Sequence, residues 1–216
     1  MSLDFEELTK IKSLELVDRN LDNARDWLLI SCFTAQRVSD FLGFSLEDIV
    51  IMDNQKLLDI NQDKTGNPVY VPISNIVYDI LKKHKGFPPQ FAKNKESNKA
   101  IYNRLIKEVC RLAKINELVT VNTKDSKINR YSIKDIPKWK AVSSHIGRRS
   151  FATNYYGKVA TSLLISATGH SSEKQFLIYV GKTEKRNAID LVRELNKIDI
   201  KEKVSEMKVV KNFGIG

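Results

Sequence analysis

The sequence predicts a mainly α-helical fold with one small three-stranded antiparallel sheet near residues 49–71. Three observations predict it. Only 9 Gly and 5 Pro punctuate the 216 residues, too few turn formers for a many-turned all-β chain. Hydrophobic residues make up 42% and charged residues 29%, enough apolar material for a packed core and against wholesale disorder. Three short β-like runs, Ile49–Met52, Leu57–Ile60 and Val69–Val71, follow one another with Asp53-Asn54 and Thr65-Gly66-Asn67 between them. Turn formers between short β-branched runs are the signature of antiparallel hairpins. The length suits one domain of ordinary size, or one domain with appendages.

The elements follow in order. Asp4 with Glu7 three residues later forms a capping-box pattern that starts a short helix through about Leu14. Asp22 to Phe44 is apolar on nearly all sides, as a central buried helix would be. After the strands, Ser74 caps a helix whose Ile76, Val77, Ile80 and Leu81 share a face, and Gly86 with Pro88-Pro89 ends it. In the next helix Ile101, Leu105, Val109 and Leu112 point inward, with Arg104, Lys107, Arg111 and Lys114 on a solvated outer face. His84, in Lys82-Lys83-His84-Lys85, reads as a solvated helix end. Residues 117–142 are irregular and basic, a hairpin or long loop around Lys124–Lys127. Helices return at about 145–156, 161–168, 173–182 and 185–196, and 199–216 reads as a tail.

The formal charge is 36 minus 26, or +10, which suggests a polyanionic partner, nucleic acid first and an anionic membrane surface second. Cys32 and Cys110 lie in separate apolar runs and read as buried free thiols of a reducing compartment. No apolar run approaches the ~20 residues that span a bilayer, and no signal peptide is recognisable. The expected location is the cytoplasm, with no membrane partner.

The most informative segment is Ser144-His145-Ile146-Gly147-Arg148-Arg149-Ser150. His145 and Arg148, three apart, project from one helix face. Ser143 or Ser144 can cap that helix, whose N-terminus favours an anion such as phosphate. His170 follows in Thr168-Gly169-His170-Ser171-Ser172. Gly169 suits the left-handed position that closes a helix, and Ser172 with Gln175 can box the start of the next. Tyr179 lies nine residues past His170. Each residue alone has a bland reading: a surface arginine, a helix-end histidine, a half-buried packing tyrosine. Their joint order and spacing does not.

That order resembles the C-terminal signature of tyrosine recombinases, the phage integrase family. The family's upstream arginine sits in Thr-Gly-x-Arg-x-Ser-Glu/Asp, and Thr34-Ala35-Gln36-Arg37-Val38-Ser39-Asp40 matches at Thr, Arg, Ser and the acid. Its lysine lies in a turn between two strands, where Gln62-Asp63-Lys64-Thr65-Gly66 stands here. Ala35 and Gln36 depart from the usual small-apolar pair, and Gly147 is an unusual helix residue beside Arg148.

The resemblance implies an integrase-type catalytic domain over residues 1–185, with a C-terminal helix and tail over 186–216; the family normally carries a separate N-terminal core-binding domain, expected to be absent here because residues 1–20 are too short for one. It also implies the chemistry. Tyr179 would be the nucleophile that forms a 3′-phosphotyrosyl link. Arg37 and Arg148 would clamp the phosphate with permanently charged planar forks. Lys64 would protonate the leaving 5′-oxygen, His145 would accept or position the tyrosine proton, and His170 would donate to a phosphate oxygen. Asp40, one turn after Arg37, would orient an arginine or histidine. Two arginines and a lysine supply the positive charge, so neither metal nor cofactor is expected. The implied partner is double-stranded DNA, with a homotetramer on two duplexes for the full-length enzyme. A type IB topoisomerase or a non-catalytic DNA-binding module are the other classes this composition and motif set would suit.

Overall fold

The computed structural model describes residues 1–44, 46–61, 68–84, 91–92, 94–125, 130–181, 188–189, 191–192 and 195–196. Two compact units divide the chain, Met1–Glu173 and Lys174–Gly216. The helices are α1 (Phe5–Lys12), α2 (Arg19–Thr34), α3 (Val38–Phe41), α4 (Asn75–Lys83), α5 (Lys95–Leu112), α6 (Lys138–Ala141), α7 (Ile146–Tyr155), α8 (Thr161–Thr168) and α9 (Glu173–Val180). The strands are β1 (Ile49–Met52), β2 (Gln55–Asn61), β3 (Pro68–Pro72), β4 (Leu118–Asp125) and β5 (Arg130–Pro137). The fold is therefore mainly α with a three-stranded antiparallel sheet in the order β1-β2-β3, as the sequence predicts. The expected turn Thr65-Gly66-Asn67, the stop at Gly86 and Pro88-Pro89, and the tail 199–216 lie outside the described residues.

Local chemistry accounts for the elements. Asp53 and Asn54 both take positive φ, 49° and 60°, the conformation of a two-residue hairpin turn that matches strand twist, and Met52 pairs with Gln55 across it. The capping box of α1 forms with both bonds present, Glu7 N–H to Asp4 Oδ1 and Asp4 N–H to Glu7 Oε2. The basic stretch 117–142 resolves its alternatives as a hairpin: β4 and β5 pair from Leu118↔Pro137 to Asp125↔Arg130. Eight-residue strands joined this way form a ribbon that the single-sequence pattern, broken by Lys and Asp, under-reads.

α2 is the central element. Trp27, Leu28, Ile30 and Ser31 are fully buried along it, and α1, α4, α5 and α7 pack around it. The apolar run expected through Phe44 is not one helix. α2 stops at Thr34, because Ala35 turns left-handed at φ 61°, and α3 starts afresh after Arg37. The buried stripe of α5 is also rotated from expectation. Tyr102, Ile106, Val109 and Cys110 are fully buried, whereas Ile101, Leu105 and Leu112 are only half-buried. The aromatic and the thiol, which a strict aliphatic pattern leaves out, set the face.

α2 and α7 approach closely at a glycine. A Cβ on Gly147 would stand 1.9 Å from Ser31 Oγ, 2.6 Å from Ser31 Cβ and 2.9 Å from Ser31 C. Gly147 therefore does not loosen its helix; it lets α7 lie against α2. The start of the chain ties into the same helix. Leu3, fully buried, donates its N–H to Ser150 Oγ at 2.8 Å and accepts from Asn154 Nδ2 at 2.9 Å.

Two ion-pair groups fasten the periphery. Lys138, buried, donates to Glu7 at 2.8 Å and to Glu117 at 3.3 Å. Burial works against its ammonium, but the two carboxylates hold its pKa above the ordinary lysine value. His84 is a correction to the solvated reading: its side chain is 13% exposed, bonds to Asp26 at 2.9 Å and stacks on Trp27. Asp26 also takes Lys83 at 2.7 Å and Arg25 at 2.9 Å. Burial pushes its carboxyl up, but bonds from His84, Lys83 and Arg25 outweigh it and hold the pKa below the usual range. Cys32 and Cys110 are buried and free, as expected.

Two predictions follow from this packing. Gly147→Ala should destabilise by about 1–3 kcal/mol, the range for forcing atoms into a packed core, measured by denaturant unfolding. Asp26 has a depressed folded pKa, so its contribution is present above the unfolded value of about 3.9 and is lost as pH falls through the lower folded value. Asp26→Asn should cost about 1.5–3 kcal/mol at neutral pH and flatten the acid side of the stability–pH curve. An unchanged acid limb would remove Asp26 from the account.

Candidate active site

Three chain reversals converge on one side chain, Arg148. The first is the end of α2. Thr34 Oγ1 donates back to Ile30 O at 2.8 Å, Ala35 takes its left-handed turn, and Ala35 N–H closes on Ser31 O at 3.1 Å. That turn releases Arg37 as the residue before α3. Ala35 thus takes a positive φ that glycine adopts more readily.

The second reversal precedes α7. Its boundary residue is His145, with no side-chain capping bond, so neither Ser143 nor Ser144 caps it as expected. Instead Ser143 offers its carbonyl to Ile146 N–H at 2.9 Å, and Ser144 N–H donates to Asn103 Oδ1 of α5 at 2.7 Å. Asn103 was not legible as a site residue, because a lone Asn among outward-facing charges carries no local pattern. One turn into α7, Arg148 is buried. Its Nη1 donates to Ala35 O at 3.1 Å and its Nη2 to Thr168 O.

The third reversal closes α8. Gly169 is left-handed at φ 59°, as the sequence predicts. Gly169 N–H bonds to Ser166 O at 3.1 Å and His170 N–H to Ile165 O at 3.2 Å, the paired bonds that satisfy a helix C-terminus. Thr168 Oγ1 lies 2.6 Å from Leu164 O and 2.7 Å from His170 Nδ1. The hydroxyl has one proton, and the shorter bond gives it to the carbonyl. Nδ1 then carries the hydrogen and donates to Thr168, which leaves Nε2 without one in the neutral ring.

Electrostatics join these side chains. Partial burial lowers the pKa of His145 most, followed by the charges of Lys99, Arg148, Arg149 and Arg37. His170 is lowered to about 4, by burial and then by Arg148 and Arg37. Both arginines thus act on both histidines, and Arg37, His145, Arg148 and His170 form one electropositive cluster, in which Arg148 is buried and His145 exposed. Lys99 and Arg149 add charge to it and were absent from the sequence reading. Such a cluster suits a tetrahedral anion.

The sequence also expects Asp40, Tyr179 and Lys64 at the site. Asp40 is buried one turn past Arg37 and accepts from Ser39 Oγ at 3.3 Å. Tyr179 is half-buried on α9, within the second unit. Lys64 lies outside the described residues. Among the described residues, no three His, Cys, Asp or Glu side chains converge as metal ligands. With no anion bound, NMR should find His170 neutral at pH 7 with a midpoint near 4. Arg37→Ala, removing one of the two charges, should raise that midpoint; a titration unaffected by the substitution would place Arg37 elsewhere.

Comparisons with known proteins bear on the family and the fold. The chain matches the model of the phage integrase family over residues 4–186. No curated protein sequence matches it. Among solved structures it resembles the XerH site-specific recombinase bound to its palindromic difH substrate, at TM-score 0.57 and 18% identity, over 86% of this chain and 50% of that one. It resembles the Tn1549 transposon integrase in complex with a circular intermediate DNA, at TM-score 0.54 and 15% identity, over 87% and 62%. It also resembles a lambda integrase tetramer bound to a Holliday junction, at TM-score 0.51 and 16% identity, over 81% and 46%. The chain therefore spans about half the length of these structures, and at such identities the likeness is one of fold. No helix among the described residues is long and apolar enough to cross a membrane. With the family model aligned over residues 4–186, most of its length, the chain belongs to the phage integrase family.

Proposed function

We propose that the chain is the catalytic part, residues 1–185, of a cytoplasmic site-specific recombinase. It would cleave and rejoin double-stranded DNA to integrate or excise a mobile element. The observation that carries this reading is the convergence on Arg148 of the chain reversals that bear Arg37 and His170, with both arginines acting on both His145 and His170, in a chain of the phage integrase family.

The chemistry balances without an external reactant. Tyr179 Oη attacks the scissile phosphorus, the bond to the 5′-oxygen breaks, and a 3′-phosphotyrosyl link conserves the bond for religation. His145 takes the phenolic proton; its lowered pKa keeps the ring neutral and able to accept at pH 7. Lys64 gives a proton to the departing 5′-oxygen. Arg37 and Arg148 neutralise the non-bridging oxygens with groups held in place before the substrate arrives. His170 starts neutral with Nδ1–H on Thr168, so it donates from Nε2 only after taking a proton. The arriving phosphodiester monoanion, whose charge grows toward the transition state, supplies the opposite charge that raises its pKa and favours uptake of a proton from solvent. Asp40 positions Arg37 from one turn away. Rejoining is the same sequence run backwards by an incoming 5′-hydroxyl, and two duplexes held by a homotetramer turn religation into exchange.

The first test needs no known target. The full-length protein is mixed with a library of nicked random duplexes, adducts are trapped in denaturant, and the bound sequences and the attached residue are identified. Attachment at Tyr179 is expected, and Tyr179→Phe should abolish adducts while leaving affinity nearly unchanged. Attachment at Tyr155 or Tyr156 would overturn the assignment. Plasmid relaxation without exchange between two marked duplexes would identify a topoisomerase instead.

The second test concerns the acid. A 5′-bridging sulfur leaves readily without a proton, whereas general acid catalysis of an oxygen leaving group is worth about 10²–10⁴-fold. Lys64→Ala should therefore cleave ordinary duplex slower by that factor and the sulfur-substituted duplex at close to the wild-type rate. Equal slowing on both substrates would reduce Lys64 to a backbone contact.

A further inference from the structure

Gln36, between Ala35 and Arg37, is fully buried. Its Nε2 donates to Thr34 O at 2.8 Å and to Ala167 O at 2.9 Å. Both partners are acceptors, so the amide nitrogen must face them; the flipped carboxamide would set oxygen against two oxygens. The second bond crosses 131 residues of sequence, from the end of α2 to the end of α8.

Arg148 makes the matching pair. Its guanidinium donates to Ala35 O and Thr168 O, each the next carbonyl after one held by Gln36. Four successive-chain carbonyls, two from each reversal, are thus held by two side chains stacked on the same seam. Gln36 holds the outer pair, Thr34 and Ala167. Arg148 holds the inner pair, Ala35 and Thr168. Arg37 lies two residues past Ala35 and His170 two residues past Thr168, and both belong to the electropositive cluster.

We infer that Gln36 is a positioning residue: its carboxamide sets the spacing of the α2 and α8 ends, and so fixes the plane in which Arg148 meets a phosphate. It acts through Arg148 and has no contact of its own with the reacting atoms. Deletion of its donors leaves two buried carbonyls repelling one another across the seam. The ends separate, and the fork of Arg148 follows one carbonyl or the other. Misplacement of a charge-stabilising group by about 1 Å is enough to slow a reaction about 10²-fold. The reading rests on the proposed phosphoryl-transfer function, but its geometric half can be tested without DNA.

The experiment uses the full chain with Gln36→Met, which keeps the length and removes the donors, and Gln36→Asn, which keeps an amide too short to bridge. In the first arm, nitrogen–proton NMR of arginine side chains reads the Arg148 guanidinium in the absence of DNA. Wild type should show separate, slowly exchanging Nη signals, because both are held by carbonyls; Gln36→Met should average them, with the rest of the spectrum preserved. In the second arm, adduct formation is followed on a duplex recovered from the covalent selection. The single-turnover rate at saturating DNA should fall about 10²-fold in Gln36→Met and less in Gln36→Asn, with half-saturating concentration within about threefold of wild type. If Gln36→Met fails to fold, Gln36→Asn and the wild-type Nη exchange still decide. A wild-type Arg148 that rotates freely, or a variant rate equal to wild type, overturns the inference. So does a rate that falls only in step with affinity and unfolding midpoint, since that is loss of structure alone. Absence of adduct from wild type would instead sink the recombinase reading and leave the first arm to judge Gln36.

Discussion

Arg148 can reach main-chain carbonyls on two other elements only because α7 lies directly against α2. That contact depends on the missing side chain of Gly147, which would otherwise occupy the place of Ser31. Interiors pack as densely as organic crystals, so a helix cannot yield locally to one added methyl; it must shift as a body. The same crossing brings the start of α7 to the middle of α5, where Asn103 takes the Ser144 amide. It also presents Ser150 and Asn154 to the main chain of Leu3. The geometry of the cluster is thus set in the core, a full turn beneath the groups that would meet a substrate.

The cluster stores electrostatic work. After partial burial, Lys99, Arg148, Arg149 and Arg37 all lower the pKa of His145. Like charges held together in one cluster favour an anion strongly and favour the empty state poorly. Carbonyl dipoles on Arg148 relieve part of the repulsion in the meantime. An anion therefore binds to groups already aimed at it, with little reorganisation left to the moment of reaction.

Much of this was legible in the sequence, for identifiable reasons. The sheet was readable because Asp53-Asn54 forces positive φ between two β-branched runs, and the α8 corner because Gly169 does the same alone. His145, Arg148 and His170 were readable because helical spacing and a forced turn constrain where they point. What escaped is tertiary. Asn103, Lys99 and Gln36 act on partners 41 to 131 residues away or through space, and no local pattern records such a partner. His84 was misread because a run of basic residues looks solvated, yet Asp26 and the ring of Trp27 draw it inward. The α5 face was misread because Tyr102 and Cys110 pack as core residues although neither is aliphatic.

The two thiols have a practical corollary. Burial pushes Cys32 up to about 12 and raises Cys110 as well, and both are shielded from solvent. Thiolate is the reactive species toward maleimides and iodoacetamides, so at neutral pH the folded chain is nearly inert to them. Cysteine introduced on the exposed face of α8 and at an exposed position of the second unit would be labelled selectively in the native background. A pair of dyes placed this way turns the distance between the half that holds the arginines and the half that holds the tyrosine into an optical signal, readable one molecule at a time.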